Sequence, residues 1–209
     1  MIHPLDHSGP DFQLEHNAIT RYGLPVIGVD EAGRGPWAGP VVAAAVILDP
    51  QNIPDGLNDS KKLSPKKRDD LFQVLHNCAQ IGVGICDVRR IDQINILQAT
   101  LWAMQQAVKQ LQICSSFVLV DGNVSPQLGG MVQTIIKGDS RSYSIAAASI
   151  IAKVTRDRIM IELDAEFPDY GWAQNKGYGT KQHRNAMEQF GITCHHRVSY
   201  KPVRKFMHV

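Results

Sequence analysis

The sequence has few cysteines, and they follow no recognisable metal-binding or disulfide pattern. None of the four forms a CxxC pair, so neither a zinc ribbon nor a disulfide framework is indicated. We expect reduced, mostly buried thiols. The positions concerned are Cys78, Cys86, Cys114 and Cys194.

Long apolar runs are also missing. The longest, Val41 to Leu48, is far shorter than the ~20 residues that a membrane-spanning helix needs. The segment from Met1 to Arg21 contains acidic residues and has no apolar h-region, so we do not expect it to be a signal peptide. These features predict a cytoplasmic protein with no membrane contact.

A strong charge of one sign is absent as well. The formal net charge is +2 over 209 residues, which is too weak to indicate a nucleic-acid-binding protein by itself. Hydrophobic residues make up 44% of the chain and charged residues 20%, the usual balance of a globular protein. We expect a polar, poorly ordered lead-in over residues 1–22, followed by one domain over residues 23–209.

Apolar patterning predicts strands and helices that form an α/β fold, with one mixed sheet and helices on its faces. A glycine-rich turn joins the first two strands, which indicates an antiparallel hairpin. The predicted strands are 25–30, 41–48, 81–86, 117–120 and 131–136. The predicted helices are 64–78, 91–111, 144–166 and 180–190.

Acidic residues follow three of the predicted strands. Asp30 and Glu31, Asp121, and Asp139 each adjoin a glycine just beyond an apolar run. Functional groups in α/β sheets gather at strand ends, so these acids could converge in space. Close carboxylates repel one another unless a hard cation such as Mg²⁺ or Mn²⁺ joins them. Two such ions can hydrolyse a phosphodiester, and this pattern therefore predicts a metal-dependent nuclease.

Two considerations limit that prediction. Asp-Gly is a common turn pair, so Asp121 alone would more readily be a turn residue than a ligand. Asp30 and Glu31 would point to opposite faces of a regular strand, so both can reach one site only if the strand ends or twists there. The conjunction of all the acids favours the metal site.

Three further segments are candidates for substrate binding. The turn Gly33-Arg34-Gly35 offers backbone N–H groups and a guanidinium to a phosphate or sugar, although a plain hairpin turn would look similar. Lys61 and Lys62 could contact a nucleic-acid backbone, or they could lie in a solvated loop. Tyr178, between glycines, could stack on a base or sugar, or it could be packed.

The C-terminal run contains further basic residues. Arg197, Lys201, Arg204 and Lys205 could widen an electrostatic footprint for nucleic acid. His195-His196 lacks a third nitrogen or sulfur ligand nearby, so we expect these histidines to be solvated or to support other groups.

Several of these motifs together resemble type 2 ribonucleases H, specifically the bacterial ribonuclease HII family. They occur in the family's order and cover the chain from about Val26 to Val203. The motifs are DEAGRGP (30–36), NDSKKL (58–63), NIL (95–97), VDGN (120–123), KGDS (137–140), AAASIIAKVTRD (146–157) and the loop around Tyr178.

The resemblance implies a ribonuclease H-like fold, with a mixed, mainly five-stranded sheet, flanking helices and a small helical C-terminal part. It implies hydrolysis of RNA in RNA–DNA hybrids and incision 5′ to single ribonucleotides in duplex DNA, leaving a 3′-hydroxyl and a 5′-phosphate. The carboxylates would hold two divalent ions, Mg²⁺ or Mn²⁺. A role in removing ribonucleotides from DNA would follow, and a monomer is the default.

The family pattern also assigns substrate contacts. Gly33, Arg34 and Gly35 match the turn that senses the ribose 2′-hydroxyl, and Tyr178 matches the tyrosine that packs on the next sugar. Gly179 stands where many members have proline, which predicts a looser loop.

Two rival functions remain at this point. One is a metal-dependent nuclease or resolvase directed at DNA alone, and the other is a non-catalytic nucleic-acid-binding module. The turn and Tyr178 argue against the first rival, and the acidic set argues against the second.

Overall fold

The computed structural model describes residues 9–207, which contain a five-stranded sheet with helices on both faces. The strands are β1 (Val26–Ala32), β2 (Val41–Leu48), β3 (Ala79–Cys86), β4 (Phe117–Asp121) and β5 (Met131–Ile135). The helices are α1 (Gln13–Tyr22), α2 (Pro65–Cys78), α3 (Val88–Gln110), α4 (Tyr143–Glu166), α5 (Trp172–Asn175), α6 (Lys181–Phe190) and α7 (Lys201–Arg204).

The sheet is mixed, with the strand order β3-β2-β1-β4-β5. Strands β1, β2 and β3 are antiparallel neighbours, so the predicted hairpin is confirmed. Strand β4 is parallel to β1 and to β5, with Val29 opposite Val120. The carboxyl ends of β1, β4 and β5 therefore meet at one edge of the sheet, where the acidic residues lie.

Two apolar layers hold the sheet between its helices. Helices α2 and α4 cover one face, and the long helix α3 covers the other. Small residues permit close packing: a methyl group on Gly28 would collide with the backbone of Ser144 at the start of α4. Helix α4 thus lies directly on β1, which carries the first acids.

Local hydrogen bonds explain where the helices begin. Ser64 caps α2 by accepting a hydrogen bond from the N–H of Lys67, as its Ser-Pro start predicts. Helix α3 begins earlier than predicted, because Asp87 caps it. Asn95 then interrupts α3 with a φ of 67°, and its side chain caps the second half.

The predicted lead-in contains helix α1 at residues 13–22. Helix α1 packs against β1 and β4, and its Glu15 is fully buried. Glu15 Oε1 accepts hydrogen bonds from Ser142 Oγ at 2.6 Å and from the N–H of Ser144 at 2.8 Å. Burial raises the pKa of this carboxyl, and the two serine contacts lower it in part. Residues 1–8 of the lead-in lie outside the described residues.

The residues after α4 form the small helical part that the family resemblance implies. They build a separate apolar cluster around Trp172, Met187 and Val203. The expectation of mostly buried cysteines is wrong in part: Cys86 is buried, but Cys114 and Cys194 are exposed. Among the described helices, none is long and apolar enough to cross a membrane.

Replacing Glu15 with alanine tests whether α1 belongs to the folded domain. The change would leave the Ser142 hydroxyl and the Ser144 N–H buried without an acceptor, so we expect the free energy of unfolding to fall by about 2–3 kcal/mol. Urea denaturation measures it. Glu162→Ala, at an exposed position of α4, is the control and should change stability by less than about 0.5 kcal/mol. Equal stability of the two variants would show that α1 is not anchored by Glu15.

Candidate active site

The strand ends bring the predicted acids into one region. Asp30 is the residue after Val29 on β1, and Asp121 is the residue after Val120 on β4, so the parallel register puts them side by side. Glu31 continues to pair with β2. On the β4 side, pairing stops at Val29, and Asp30 and Glu31 beyond it both line one cleft.

Asp139 reaches this region through a tight connection after β5. The N–H of Gly138 donates a hydrogen bond of 2.6 Å to Asp121 Oδ1. Lys137 has a left-handed φ of 55°, which turns the chain into the 3-10 helix Gly138–Ser140 that carries Asp139. Asp121 therefore fixes the turn that presents Asp139.

Burial and mutual repulsion dominate the electrostatics of these acids. Burial raises the pKa of Asp30 well above its ordinary value, and the charges of Glu31 and Asp121 raise it further. Burial also raises the pKa of Glu31, although Arg34 opposes that shift. The pKa of Asp139 is raised by burial and then by neighbouring carboxylates. Such a cluster is suited to binding a cation.

Two basic side chains approach the acids from the solvent side. Arg34 Nη1 lies 3.3 Å from Glu31 Oε1, and Lys61 Nζ lies 3.8 Å from Asp139 Oδ2. The Lys61 side chain is 80% exposed, so it can reach a phosphate without leaving its loop. Burial lowers the pKa of Lys61, but the surrounding carboxylates outweigh that effect and raise it overall. Lys62 is exposed beside it and does not line the cleft.

A cleft of about 290 Å³ joins Asp30 and Glu31 to most of the predicted substrate-binding residues, while Asp121 and Asp139 do not line it. The predicted residues that line it are Asp30, Glu31, Gly33, Arg34, Gly35, Lys61 and Tyr178. The remaining lining residues lie within the family motifs but were assigned no role from the sequence; they are Ala32, Ser60, Lys153 and Arg156.

Two buried arginines, Arg156 and Arg197, support the turn at Gly33-Arg34-Gly35. Gly33 has a φ of 98°, and any side chain there would collide with Arg156. Arg156 donates hydrogen bonds to the carbonyls of Pro40 and Ala38. The prediction that Arg197 widens a nucleic-acid footprint is wrong, because Arg197 is fully buried beneath the turn.

Tyr178 lies beside the same turn. Its side chain is half exposed, and a methyl group on Gly35 would come within 3.4 Å of its ring. The loop before it is fixed, because the N–H of Trp37 donates to the Gly177 carbonyl at 2.8 Å. The looser loop predicted from Gly179 stays a prediction, although the Trp37 indole packs so close to Gly179 that a Cβ there would lie 2.2 Å from it.

A pair of buried histidines fixes the Tyr178 loop from the other side. The N–H of Thr193 donates to His196 Nδ1, which leaves the His196 proton on Nε2, 3.0 Å from His183 Nε2. His183 then donates from Nδ1 to the Tyr178 carbonyl at 3.0 Å. The sequence left two roles open for His196, exposure to solvent or support of other groups. The structure shows the second role.

Several structural residues escaped prediction because their residue types gave no signal. The residue type of an arginine or histidine does not show whether it is buried, and both buried arginines donate hydrogen bonds to carbonyls far away in the sequence. The polar flanks of Arg156 in α4 and the basic flanks of Arg197 favoured exposure.

The donor set is compatible with a hard divalent cation. Asp30, Glu31, Asp121 and Asp139 supply carboxylate oxygens without thiol or imidazole, the combination that Mg²⁺ and Mn²⁺ prefer. Within residues 9–207, no three metal-binding side chains already surround one point. The acids converge in space without yet forming a complete ligand shell.

Comparison with known proteins supplies the family. The ribonuclease HII family model matches residues 27–203. The chain belongs to the ribonuclease HII family. The family resemblance read from the motifs is therefore confirmed, as is a ribonuclease H enzyme of type HII.

Relatives in several bacteria share about half of their residues with this chain. A ribonuclease HII of Magnetococcus marinus is 52% identical and covers 96% of this chain and 97% of its own. One from Coxiella burnetii is 53% identical, over 90% of this chain and 94% of its own. One from Ruegeria pomeroyi is 50% identical, over 95% of this chain and 86% of its own.

Solved structures confirm the ribonuclease H-like fold. Ribonuclease H2 from Pyrococcus horikoshii superposes with a TM-score of 0.74 at 30% identity, over 88% of this chain and 98% of its own. Ribonuclease HII of Archaeoglobus fulgidus, in complex with PCNA, superposes with a TM-score of 0.73 at 27% identity, over 85% of this chain and 96% of its own. A Bst ribonuclease HIII in complex with Mn²⁺ shares the fold. It superposes with a TM-score of 0.73 at 18% identity, over 88% of this chain and 70% of its own.

The His183–His196 pair predicts a pH-dependent stability. Burial, and then the charge of His183, lowers the pKa of His196 to about 3. The unfolded chain takes up a proton near pH 6.5 while the folded chain does not, so stability is lost as pH falls below 6.5. We expect the contribution of His196 to be about 1 kcal/mol between pH 6.5 and 5.5, measured by urea denaturation.

Two variants isolate the contribution of His196. His196→Gln should show a shallower loss of stability on acidification than the unaltered protein. Val203→Ala, in the same apolar cluster, lowers stability without removing a titratable group and should keep the original slope. The same slope in both variants would exclude His196 as the cause.

Proposed function

We propose that this enzyme hydrolyses the RNA strand of RNA–DNA hybrids and incises duplex DNA 5′ to single embedded ribonucleotides. The products would carry a 3′-hydroxyl and a 5′-phosphate, and the physiological role would be removal of ribonucleotides during DNA replication and repair. One observation carries the proposal: two of the carboxylates, Asp30 and Glu31, line a single cleft together with the Gly33-Arg34-Gly35 turn and Tyr178.

Asp30, Glu31, Asp121 and Asp139 are the residues that would hold two divalent ions, Mg²⁺ or Mn²⁺. When bound, the ions supply activation of a water and charge stabilisation at the phosphate. The four carboxylates would hold the ions at the strand ends. Strands β1 and β4 and the turn after β5 fix the positions of these carboxylates. Burial raises the pKa of Asp30 and of Asp139, repulsion from neighbouring carboxylates raises both further, and bound cations would relieve that repulsion.

The remaining cleft residues would bind and select the substrate. Lys61 and Arg34 extend from the acidic cluster into solvent and can bind phosphates on either side of the scissile bond. Lys62, beside the cleft, would contact the backbone further along the strand. The N–H groups of the turn would hydrogen-bond the ribose 2′-hydroxyl, and the exposed face of Tyr178 would pack on the following sugar.

The two rival functions fit the site less well. A nuclease directed at DNA alone has no use for polar backbone groups placed against a ribose hydroxyl. A binding module without catalysis would gain nothing from buried carboxylates, which repel phosphate. Neither rival accounts for both features in one cleft.

A duplex that carries a single ribonucleotide tests the proposal directly. With Mg²⁺ or Mn²⁺ present, we expect incision 5′ to that ribonucleotide, while an all-DNA duplex of the same sequence remains intact. Denaturing gel electrophoresis gives the cut position, and end-specific phosphatase treatment identifies the 5′-phosphate. Equal cutting of both duplexes, or of neither, would contradict the proposed substrate.

Replacing Asp30 with asparagine tests the role of the acidic cluster. We expect turnover to fall by at least about 100-fold, because one anionic ligand is lost, while duplex binding persists. The melting temperature should not decrease, because one of several mutually repelling carboxylates is removed. Single-turnover kinetics, fluorescence anisotropy and calorimetry measure these quantities. Retained activity that still requires metal would remove Asp30 from the centre of the site.

A further inference from the structure

Arg197 makes an unusual set of contacts for a buried charge. Its guanidinium donates to the carbonyls of Gly33 at 2.6 Å, Arg34 at 3.1 Å, Gly39 at 2.7 Å and Pro40 at 3.1 Å. Within the described residues it forms no ion pair with a carboxylate. A buried cation that depends on carbonyl oxygens strongly constrains where those oxygens can lie.

The contacts to Gly33 and Arg34 determine how the substrate-binding turn presents its N–H groups. In a planar trans peptide, the carbonyl and the following N–H point in opposite directions. Because both carbonyls point toward Arg197, the N–H groups of Arg34 and Gly35 point away from it. In the described structure, neither N–H donates to a protein acceptor, and both residues line the cleft.

Neighbouring residues fix the guanidinium itself. Tyr200 accepts a hydrogen bond from Arg197 Nη1 at 2.9 Å and donates from its hydroxyl to the Arg34 carbonyl at 2.5 Å. Asp92, in the first part of α3, accepts from the N–H groups of Val198 and Ser199 at 3.1 and 2.9 Å. The segment that carries Arg197 is therefore anchored on α3, independently of the turn.

We propose that Arg197 is a positioning residue that determines discrimination of the ribose 2′-hydroxyl, because it aims the N–H groups of Arg34 and Gly35 into the cleft. This inference rests on the proposed function. Arg197 does not touch the substrate, and it acts only through the turn. Lysine cannot replace it, since an ammonium group lacks the planar fork that holds several carbonyls together.

The test compares two duplexes that differ only at the 2′ position of one embedded nucleotide. One carries a ribonucleotide and the other a 2′-fluoro nucleotide, whose fluorine is a much weaker hydrogen-bond acceptor than the hydroxyl oxygen to which the N–H groups would donate. The measured quantity is the ratio of kcat/KM for the two duplexes with Mn²⁺. We expect Arg197→Lys to lower kcat/KM on the ribonucleotide duplex by about 100-fold and to reduce the ratio toward one.

Controls separate positioning from a general loss of structure. Circular dichroism, and Mn²⁺ titration by calorimetry, should show that Arg197→Lys is folded and that its acidic cluster still binds Mn²⁺. Arg158→Lys makes the same substitution at an exposed arginine that pairs with Asp69, and it should keep the ratio. Tyr200→Phe removes one donor to the Arg34 carbonyl and should reduce the ratio several-fold.

Each outcome decides the matter. If the unaltered protein discriminates and folded Arg197→Lys keeps the ratio, the inference is overturned and the proposed function stands. If Arg197→Lys does not fold, Tyr200→Phe decides: an unchanged ratio overturns the inference, and a reduced ratio supports it. If the unaltered protein does not discriminate, the proposed function and this inference fail together.

Discussion

Burial of the acids, together with repulsion among them, is the constraint on which the active-site region depends. Asp30 is buried next to Glu31 and close to Asp121, so the folded protein holds like charges together in a region with little water. Such an arrangement persists only if the backbone cannot relax away from it. The parallel pairing of β1 with β4 and the close contact of Gly28 with α4 supply that rigidity.

A second charge problem lies directly beneath the substrate turn. Arg156 and Arg197 are both buried, and burial followed by the charge of Arg197 lowers the pKa of Arg156 to about 10. Their guanidinium groups are satisfied by backbone carbonyls of the residue 33–40 segment and of Lys176. The two cations thus hold a loop that contains no regular secondary structure, and they place its free backbone groups beside the acids.

The sequence predicted features whose signal is local. Strand ends, a Ser-Pro helix start and acids beside glycines can be read from neighbouring residues, and the sheet and the acidic cleft followed from them. Glu15, Arg197 and His196 could not be predicted in this way, because each of them has a hydrogen-bond partner that lies 13 to 164 residues away in the sequence. A charged or titratable residue is usually exposed, and only the tertiary contacts reveal an exception.

Gly179 also shows that a prediction from a single position can miss a tertiary contact. Its departure from the proline common in the family indicated a looser loop when the position was considered alone. The structure shows a compensating neighbour, because Trp37 fills the space that a side chain would need. The loop also gains fixed hydrogen bonds from Trp37 to Gly177 and from His183 to Tyr178. These contacts hold the loop without the restricted φ angle that a proline would impose, so a looser loop does not follow from Gly179 alone.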